Sequence, residues 1–254
     1  MKARLGRYAA WQLRDFVFER GIPLLVVAAL LLFPVVASVR ARLEVNAAGP
    51  TDRDIALKGF AALIVGMLSF VIILISTNGM VHNDIRRGYF RFLFAKPVAP
   101  WRFYAQSFAV NWLGAMLAAL IVLATFFAFT TPFFPPGLFP FLTLYYLALG
   151  GLVFFVSVLT RLDWIIVAAI WALAQLLRGV YPPGSGLFGR VVDVLFPPAH
   201  RMGDVGAALM RSGTTGGAAL GDSALLLSVL WLVGWGLLAF IAGLLLLRHR
   251  PLAA

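Results

Sequence analysis

Six segments of the chain are apolar over the length, or nearly the length, that a helix needs to cross a lipid bilayer. A membrane-spanning helix takes about 20 mostly apolar residues. The six segments are residues 21–39, 59–81, 103–131, 139–160, 164–181 and 223–247. The fifth reaches 18 residues only if Arg178 and Tyr181 extend it at the interface. The sequence therefore predicts an all-α membrane protein, a single domain with six transmembrane helices.

The low content of charged residues also indicates a membrane protein. Charged residues make up 12% of the 254 residues, about half of the roughly 25% that is usual in soluble domains. The chain has no cysteine, which excludes disulfides, zinc–thiolate sites and thiol chemistry. The net charge of +11 is typical of Lys and Arg beside the cytoplasmic lipid surface. Membrane lipid is therefore the expected contact, and nucleic acid is not an expected partner.

The distribution of Lys and Arg predicts the orientation. If all six segments cross, more than half of the 21 basic residues lie on the side that carries both termini. The positive-inside rule assigns that side to the cytoplasm. We therefore expect a multi-pass protein of the plasma (inner) membrane with cytoplasmic termini.

Two further regions are expected to form helices that do not cross the membrane. Residues 1–20 read as an amphipathic, basic helix lying in the interface. Residues 182–222 form an outer loop that is too apolar for a solvated linker, and we expect one or two short interfacial or re-entrant helices there. Asp204 is expected to cap one of them through Met210. The alternative is a flexible loop rich in Gly and Pro.

No Asp, Glu, Lys, Arg or His falls inside the first four apolar segments or the sixth, and Arg178 is the one exception at the end of the fifth. Because intramembrane ionisable residues mark proton relays and ion pathways, this pattern disfavours an ion-coupled carrier, although backbone carbonyls can also hold Na⁺. The three histidines, in three separate loops, lack metal-ligand spacing. The uncharged polar residues are expected mainly to form hydrogen bonds between helices. They are Ser69, Ser76, Asn78, Asn111, Thr125, Thr143, Ser157, Gln175 and Ser228.

The loop between the second and third segments combines charge and aromatic rings in the stretch NDIRRGYFRFLFAKPVAP, residues 83–100. Asp84 can cap a helix that begins at Ile85, and Pro97 ends any helix at or before Lys96. Pro100 then keeps the chain extended before Trp101, Arg102 and Tyr104 re-enter the interface. The sequence predicts a short helix parallel to the membrane that presents guanidinium groups and rings, the side chains that interfaces favour as anchors.

The pattern Asp84-x-x-x-Gly88-x-x-Arg91-x-Leu93-x-x-x-Pro97-Val98, with an aromatic residue at Tyr104, resembles the loop after the second span in permeases of the ABC-2 type. The six-span layout, the interfacial N-terminal helix and the short helices before the last span are similar to that family as well. Asp84 stands where many members carry Glu.

The resemblance implies a transmembrane permease subunit of an ABC transporter, with export as the expected direction. Residues 84–96 would be the coupling helix, seated on a separate ABC ATP-binding subunit. A second permease copy or a related permease would complete the transporter. The residues implied in binding the ATPase are Asp84, Arg86, Arg87, Gly88, Tyr89, Arg91, Phe92 and Pro97.

ATP and Mg²⁺ are expected in the partner subunit, because the 254 residues contain no Gly-x-x-x-x-Gly-Lys-Ser/Thr phosphate loop. We expect this chain to bind no cofactor and no metal, and to have no catalytic residues of its own. Two alternatives stay open: an ion-coupled carrier or channel that acts alone, and a membrane anchor or assembly subunit of a larger complex. The spans do not indicate which substrate is moved.

Overall fold

The computed structural model describes residues 2–45, 65–86, 99–130, 137–181, 186–211 and 223–249, and the regular elements within these ranges are helices. In the first half they are α1 (Lys2–Phe16), a π-helical segment (Val17–Gly21), α2 (Ile22–Val45), α3 (65–77), α4 (His82–Arg86) and α5 (Pro100–Thr130). In the second half they are α6 (Leu138–Tyr145), a π-helical segment (Tyr146–Gly150), α7 (Gly151–Leu159), α8 (Asp163–Val180), α9 (Gly186–Leu195), α10 (Ala199–Arg211) and α11 (Ser223–His249).

Six stretches of helix in the described part of the chain are long and apolar enough to cross a membrane, which confirms the predicted number. In chain order, spans 1 to 6 are Ala9–Pro34, Val65–Ile85, Pro100–Phe129, Leu138–Leu159, Asp163–Val180 and Ser223–Arg248. The fifth is 18 residues long, the length that the sequence predicts when Arg178 is included. The third begins at Pro100, three residues earlier than predicted. Proline suits that first helical position because its missing N–H has no partner there.

Span 4 lies at the centre of the bundle, and 72% of its most apolar window is buried, compared with 17% for span 6. It packs on span 5 through α7 and on span 6 along most of its length. Rings from spans 2, 4 and 5 meet in its core, where Phe70 and Trp171 both lie against Tyr145. Span 4 is therefore the central helix on which spans 2, 5 and 6 pack.

Spans 4 and 6 approach each other through glycines at the π-helical segment of span 4. A Cβ atom on Gly236 would lie 2.3 Å from the carbonyl oxygen of Leu147, and one on Gly151 would lie 2.2 Å from the carbonyl oxygen of Gly236. Both distances are far below van der Waals contact, so only glycine fits at this crossing.

The N-terminal helix continues into span 1 without a break. α1 passes through the π-helical residues Val17–Gly21 directly into α2, and α1 packs on α5. The prediction of a helix over residues 1–20 is confirmed for the described residues, but the structure has no break at residue 21. Whether α1 lies in the membrane interface stays a prediction.

The described part of residues 182–222, the expected outer loop, contains two short helices, α9 and α10, as the sequence predicts. The capping role predicted for Asp204 is wrong, because α10 begins five residues earlier and the Met202 N–H donates to the Pro198 carbonyl oxygen at 3.3 Å. α10 packs against α11, α6 and α8. These two helices therefore cover one end of the bundle.

Four of the nine uncharged polar residues expected to bond between helices bond to their own helix instead. The hydroxyls of Ser69, Thr125 and Ser228 each donate to the carbonyl oxygen four residues earlier, and Ser157 donates to the carbonyl three residues earlier. Such back-bonding satisfies a hydroxyl locally. Asn111 and Thr143 also contact neighbouring helices, since Asn111 accepts a hydrogen bond from Arg20 of span 1 and the Thr143 hydroxyl lies 3.9 Å from the Met116 sulfur of span 3.

Candidate functional site

Span 2 is interrupted at Gly79, close to the start of the basic and aromatic loop. The helix α3 ends at residue 77, the chain turns through residues 78–81, and α4 begins at His82. Gly79 has φ of +62°, a left-handed conformation that glycine adopts without steric cost. The turn exposes the Gly79 backbone N–H, which donates to Oδ2 of Asp163 at 2.7 Å. The end of span 2 is therefore attached to span 5.

Asp163 is fully buried at the first residue of span 5. Its second oxygen, Oδ1, accepts the backbone N–H of Trp164 at 2.8 Å. A carboxylate at a helix N-terminus also interacts favourably with the helix dipole. Both oxygens thus have a backbone donor, which compensates for the removal of the charge from solvent.

Arg20 extends the connection to spans 1 and 3. Its Nη1 donates to the carbonyl oxygen of Ser76 and to Oδ1 of Asn111, the latter at 3.2 Å. The Asn111 amide nitrogen in turn donates to the carbonyl oxygen of Ser107 at 2.9 Å, which fixes its orientation. Arg20 also interacts electrostatically with Asp163. We call the residues Arg20, Ser76, Gly79, Asn111 and Asp163 the polar cluster.

A cavity of about 90 Å³ lies beside the polar cluster, with three carboxylates among its lining residues: Asp15, Glu19 and Asp84. At about 30 Å³ for each water molecule, it has room for about three waters. That is well below the roughly 300 Å³ at which pockets for organic ligands begin. No group of three or more His, Cys, Asp or Glu in the described residues could hold a metal ion. The cavity is therefore too small in this structure for an organic ligand.

Two of the residues implied in ATPase binding lie in the described part of the chain. Asp84 and Arg86 belong to α4, which begins at His82. The prediction that Asp84 caps this helix is wrong, because the Asn83 N–H already donates to the Gly79 carbonyl oxygen and the helix starts two residues earlier. Asp84 instead lines the cavity. The remaining residues implied in ATPase binding lie outside the described residues: Arg87, Gly88, Tyr89, Arg91, Phe92 and Pro97.

The return of the chain into the membrane also differs from the prediction. Pro100 is the first residue of α5 rather than part of an extended segment. Tyr104 is fully buried instead of lying at the interface, and its ring packs at 6.2 Å from that of Phe154 in span 4. Tyr104 also interacts with Asp84. Both ends of the loop are thus tied to the helical bundle.

The sequence did not predict the polar cluster, although Asn111 and Ser76 are among the polar residues of the predicted spans. Arg20 and Asp163 adjoin the apolar segments, where charged residues ordinarily snorkel to the interface. The one available signal was Asp163 directly before a short span, at a helix N-terminus. Nothing local indicates that neighbouring helices bury it.

The opposite end of span 5 carries a second group of charges, beside α9 and α10. Nη2 of Arg178 lies 2.7 Å from Oδ1 of Asp193 and 3.2 Å from Nε2 of His200. His200 and Asp193 are 3.5 Å apart. This group joins span 5 to both short helices.

Acidification should lower the stability of the folded protein through His200. Burial, and then the positive charge of Arg178, lowers the pKa of His200, with Arg201 acting in the same direction and Asp193 and Asp204 opposing it. The unfolded chain then binds the proton more tightly than the folded one, so stability falls as the pH drops below about 6.5. Thermal unfolding of the purified chain in detergent should show this fall, and His200→Gln should reduce it. An unchanged pH profile in the variant would exclude His200 as the cause.

No family model, curated protein or solved structure matches the chain.

Proposed function

We propose that the chain is the transmembrane permease subunit of an ATP-driven transporter of the ABC-2 type. It moves a substrate, by export, while a separate subunit binds and hydrolyses ATP with Mg²⁺. The segment 84–96 is the coupling helix that docks on that subunit. A second copy of the chain, or a related permease, completes the path, and both termini lie in the cytoplasm.

The observation that carries the proposal is the polar cluster at the base of this segment. The backbone of span 2 next to residue 84 is bonded to span 5 through Asp163 and to span 1 through Arg20, and Arg20 also bonds to span 3. A displacement of residues 84–96 would therefore be transmitted to four spans. A loop that only connected two helices would not need such bonds.

The same cluster is also the reason to retain a second candidate, an ion-coupled carrier. Asp163 is a buried carboxylate within span 5, and three further carboxylates line the adjacent cavity. Intramembrane acids are typical of proton and ion pathways. Proteoliposomes that contain only this chain distinguish the candidates, because a carrier would transport under an ion gradient without nucleotide.

Charge reversal in the proposed coupling helix tests the main proposal. Affinity purification of the full chain from its native membrane should recover an ATP-binding subunit with a phosphate loop. We expect Arg87→Glu and Gly88→Trp to remove that subunit, or to abolish the stimulation of its ATPase, while the variants still insert into the membrane. A reversed charge opposes docking at an interface directly, and the tryptophan blocks close approach.

Arg161→Glu is the matched control, because Arg161 is exposed in the turn just before Asp163, at the same end of the bundle. It should retain both the partner and the stimulation. Recovery of no ATP-binding subunit with the unmodified chain, or equal recovery with Arg87→Glu, would contradict the proposal.

A further inference from the structure

Three side chains from three different helices meet where span 5 ends beside the two short helices. Arg178 belongs to the last turn of span 5, Asp193 to α9 and His200 to α10. Nη2 of Arg178 lies close to both partners, 2.7 Å from Oδ1 of Asp193 and 3.2 Å from Nε2 of His200. We call these three residues the charge group.

The hydrogen bond to His200 fixes the protonation state of the imidazole. Arginine has donors but no acceptor, and it does not lose its proton in proteins. Nε2 of His200 must therefore accept the hydrogen, which requires a neutral ring with its proton on Nδ1. Oδ1 of Asp193 is paired with Arg178 by charge, but it accepts no hydrogen bond from the described residues.

Protonation of His200 reverses these preferences. A proton on Nε2 removes the lone pair that Arg178 uses and places two positive groups 3.2 Å apart, which is repulsive. The same proton gives His200 an N–H donor 3.5 Å from Oδ1 of Asp193, and charge-assisted hydrogen bonds of this kind are stronger than neutral ones. Asp193 then has a partner on α10 in place of its partner on span 5.

The other groups around His200 do not reproduce this exchange. On α10 itself, Arg201 and Asp204 act on His200 with opposite signs. α10 also packs against α6 and α11. Among the described residues, α6 contributes Tyr145 but no charged side chain, and α11 has no charged side chain before Arg248. The charges that distinguish the two protonation states therefore come from span 5 and α9.

α10 is anchored to the bundle independently of the charge group. Met202, Val205 and Leu209 are buried on α10, and a Cβ atom on Gly206 would lie 2.7 Å from the ring of Phe141 in span 4. A rearrangement of the charge group therefore leaves α10 in place and changes how the end of span 5 lies against it.

We propose that the charge group is a proton-operated latch between span 5 and the two short helices. With His200 neutral, Arg178 holds both partners and the latch is closed. With His200 protonated, Asp193 pairs with His200, Arg178 is released, and the end of span 5 separates from α10. The opposite end of span 5 is bonded to span 2 through Asp163, so the latch acts on a helix that the polar cluster also holds. It does not depend on an ATPase partner.

The latch should open in mildly acidic solution. Burial, followed by the charge of Arg178, lowers the pKa of His200 from its usual value of about 6.5. A group with a lowered pKa takes up its proton only below that value, so the closed state is present at about pH 8 and is lost as the pH falls below about 6.5. A lower limit of about pH 5 keeps ordinary carboxylates ionised.

Spin labels on span 5 and α10 measure the opening directly. The chain has no cysteine, so Gly179→Cys and Gly203→Cys provide the only two attachment sites. Both glycines are exposed, and a Cβ atom on either would meet nothing within 4 Å. Double electron–electron resonance on the full chain in detergent should give one distance distribution at about pH 8 and a reversible shift to longer distances at about pH 5.

Two substitutions at His200 separate protonation from packing. His200→Gln keeps an acceptor for Arg178 and does not titrate, so the closed distribution should persist at about pH 5. His200→Lys is positively charged at both pH values and should show the longer distances already at about pH 8. His82→Gln is the matched control, because His82 lies on α4 and acts on Asp163 at the other end of span 5. It should leave the shift unchanged.

Asp193→Asn tests the exchange of partners. The substitution removes the carboxylate that pairs with the protonated ring, so protonation of His200 becomes less favourable. The midpoint of the distance change should move to lower pH by about one unit.

Three results would overturn the proposal. They are an unchanged distance distribution between about pH 8 and pH 5 in the chain with His200 intact, a shift that persists in His200→Gln, and a closed distribution in His200→Lys at about pH 8. None of these results bears on whether an ATPase binds residues 84–96.

Discussion

Asp163→Ala should lower the free energy of unfolding by about 3 kcal/mol, since hydrogen bonds to a charged acceptor contribute about 1.5–3 kcal/mol each and two are lost. The substitution leaves the buried N–H of Gly79 without an acceptor and removes the link between spans 2 and 5. The loss should be visible as a lower midpoint of thermal unfolding in detergent. If the proposed function is correct, the substitution should also reduce the stimulation of the ATPase, because the proposed coupling segment is released from span 5.

Two matched variants give this prediction its control. Asp163→Asn retains one carbonyl oxygen and can accept only one of the two N–H groups, so about half of the loss should remain. Asp204→Ala removes an exposed carboxylate and should change stability by no more than about 0.5 kcal/mol. If Asp163→Ala were no more harmful than Asp204→Ala, the bond to Gly79 would not contribute to the fold.

Gly236→Ala should destabilise the protein by about 3 kcal/mol or more, because overpacking a close contact forces backbone shifts. The added Cβ would lie 2.3 Å from the Leu147 carbonyl oxygen and 2.8 Å from the Cα of Ala148. Neither atom can rotate away as a side chain can, so spans 4 and 6 must separate. Folded yield and the thermal unfolding midpoint in detergent should both fall.

Gly234→Ala on the same helix should have the opposite sign. Its Cβ meets nothing within 4 Å, and alanine is favoured over glycine in a helix by about 1 kcal/mol. The same substitution is thus made at two positions on one helix. The comparison separates the cost of the close contact between spans 4 and 6 from the effect of helix propensity. Equal effects at the two positions would show that spans 4 and 6 are not in contact at Gly236.

The apolar segments predicted the helices well because a bilayer restricts the chain so strongly. Without water to satisfy free N–H and C=O groups, a long apolar segment has to form a helix. Span 4 was expected at residues 139–160 and is found at Leu138–Leu159. One or two short helices were also expected within residues 182–222, and two are found, although Leu187, Val191, Val194 and Leu195 on α9 lie exposed.

The caps were predicted less well, since helix ends depend on the chain on either side. Asp84 and Asp204 both have side chains suited to a cap, yet both lie inside helices that begin earlier. In the first case the turn at Gly79 lets the helix resume at His82. In the second, α10 begins directly after Pro197 and Pro198.

The sequence by itself determined that the chain spans a membrane with six helices and that its charges and rings concentrate in the loop after the second. These properties follow from the local balance of apolar and charged residues. Only the tertiary structure decided which helix-end charges form hydrogen bonds between helices. Arg20 and Asp163 resemble other interfacial charges in the sequence, and their roles arise because the turn at Gly79 and the amide of Asn111 come within hydrogen-bonding distance.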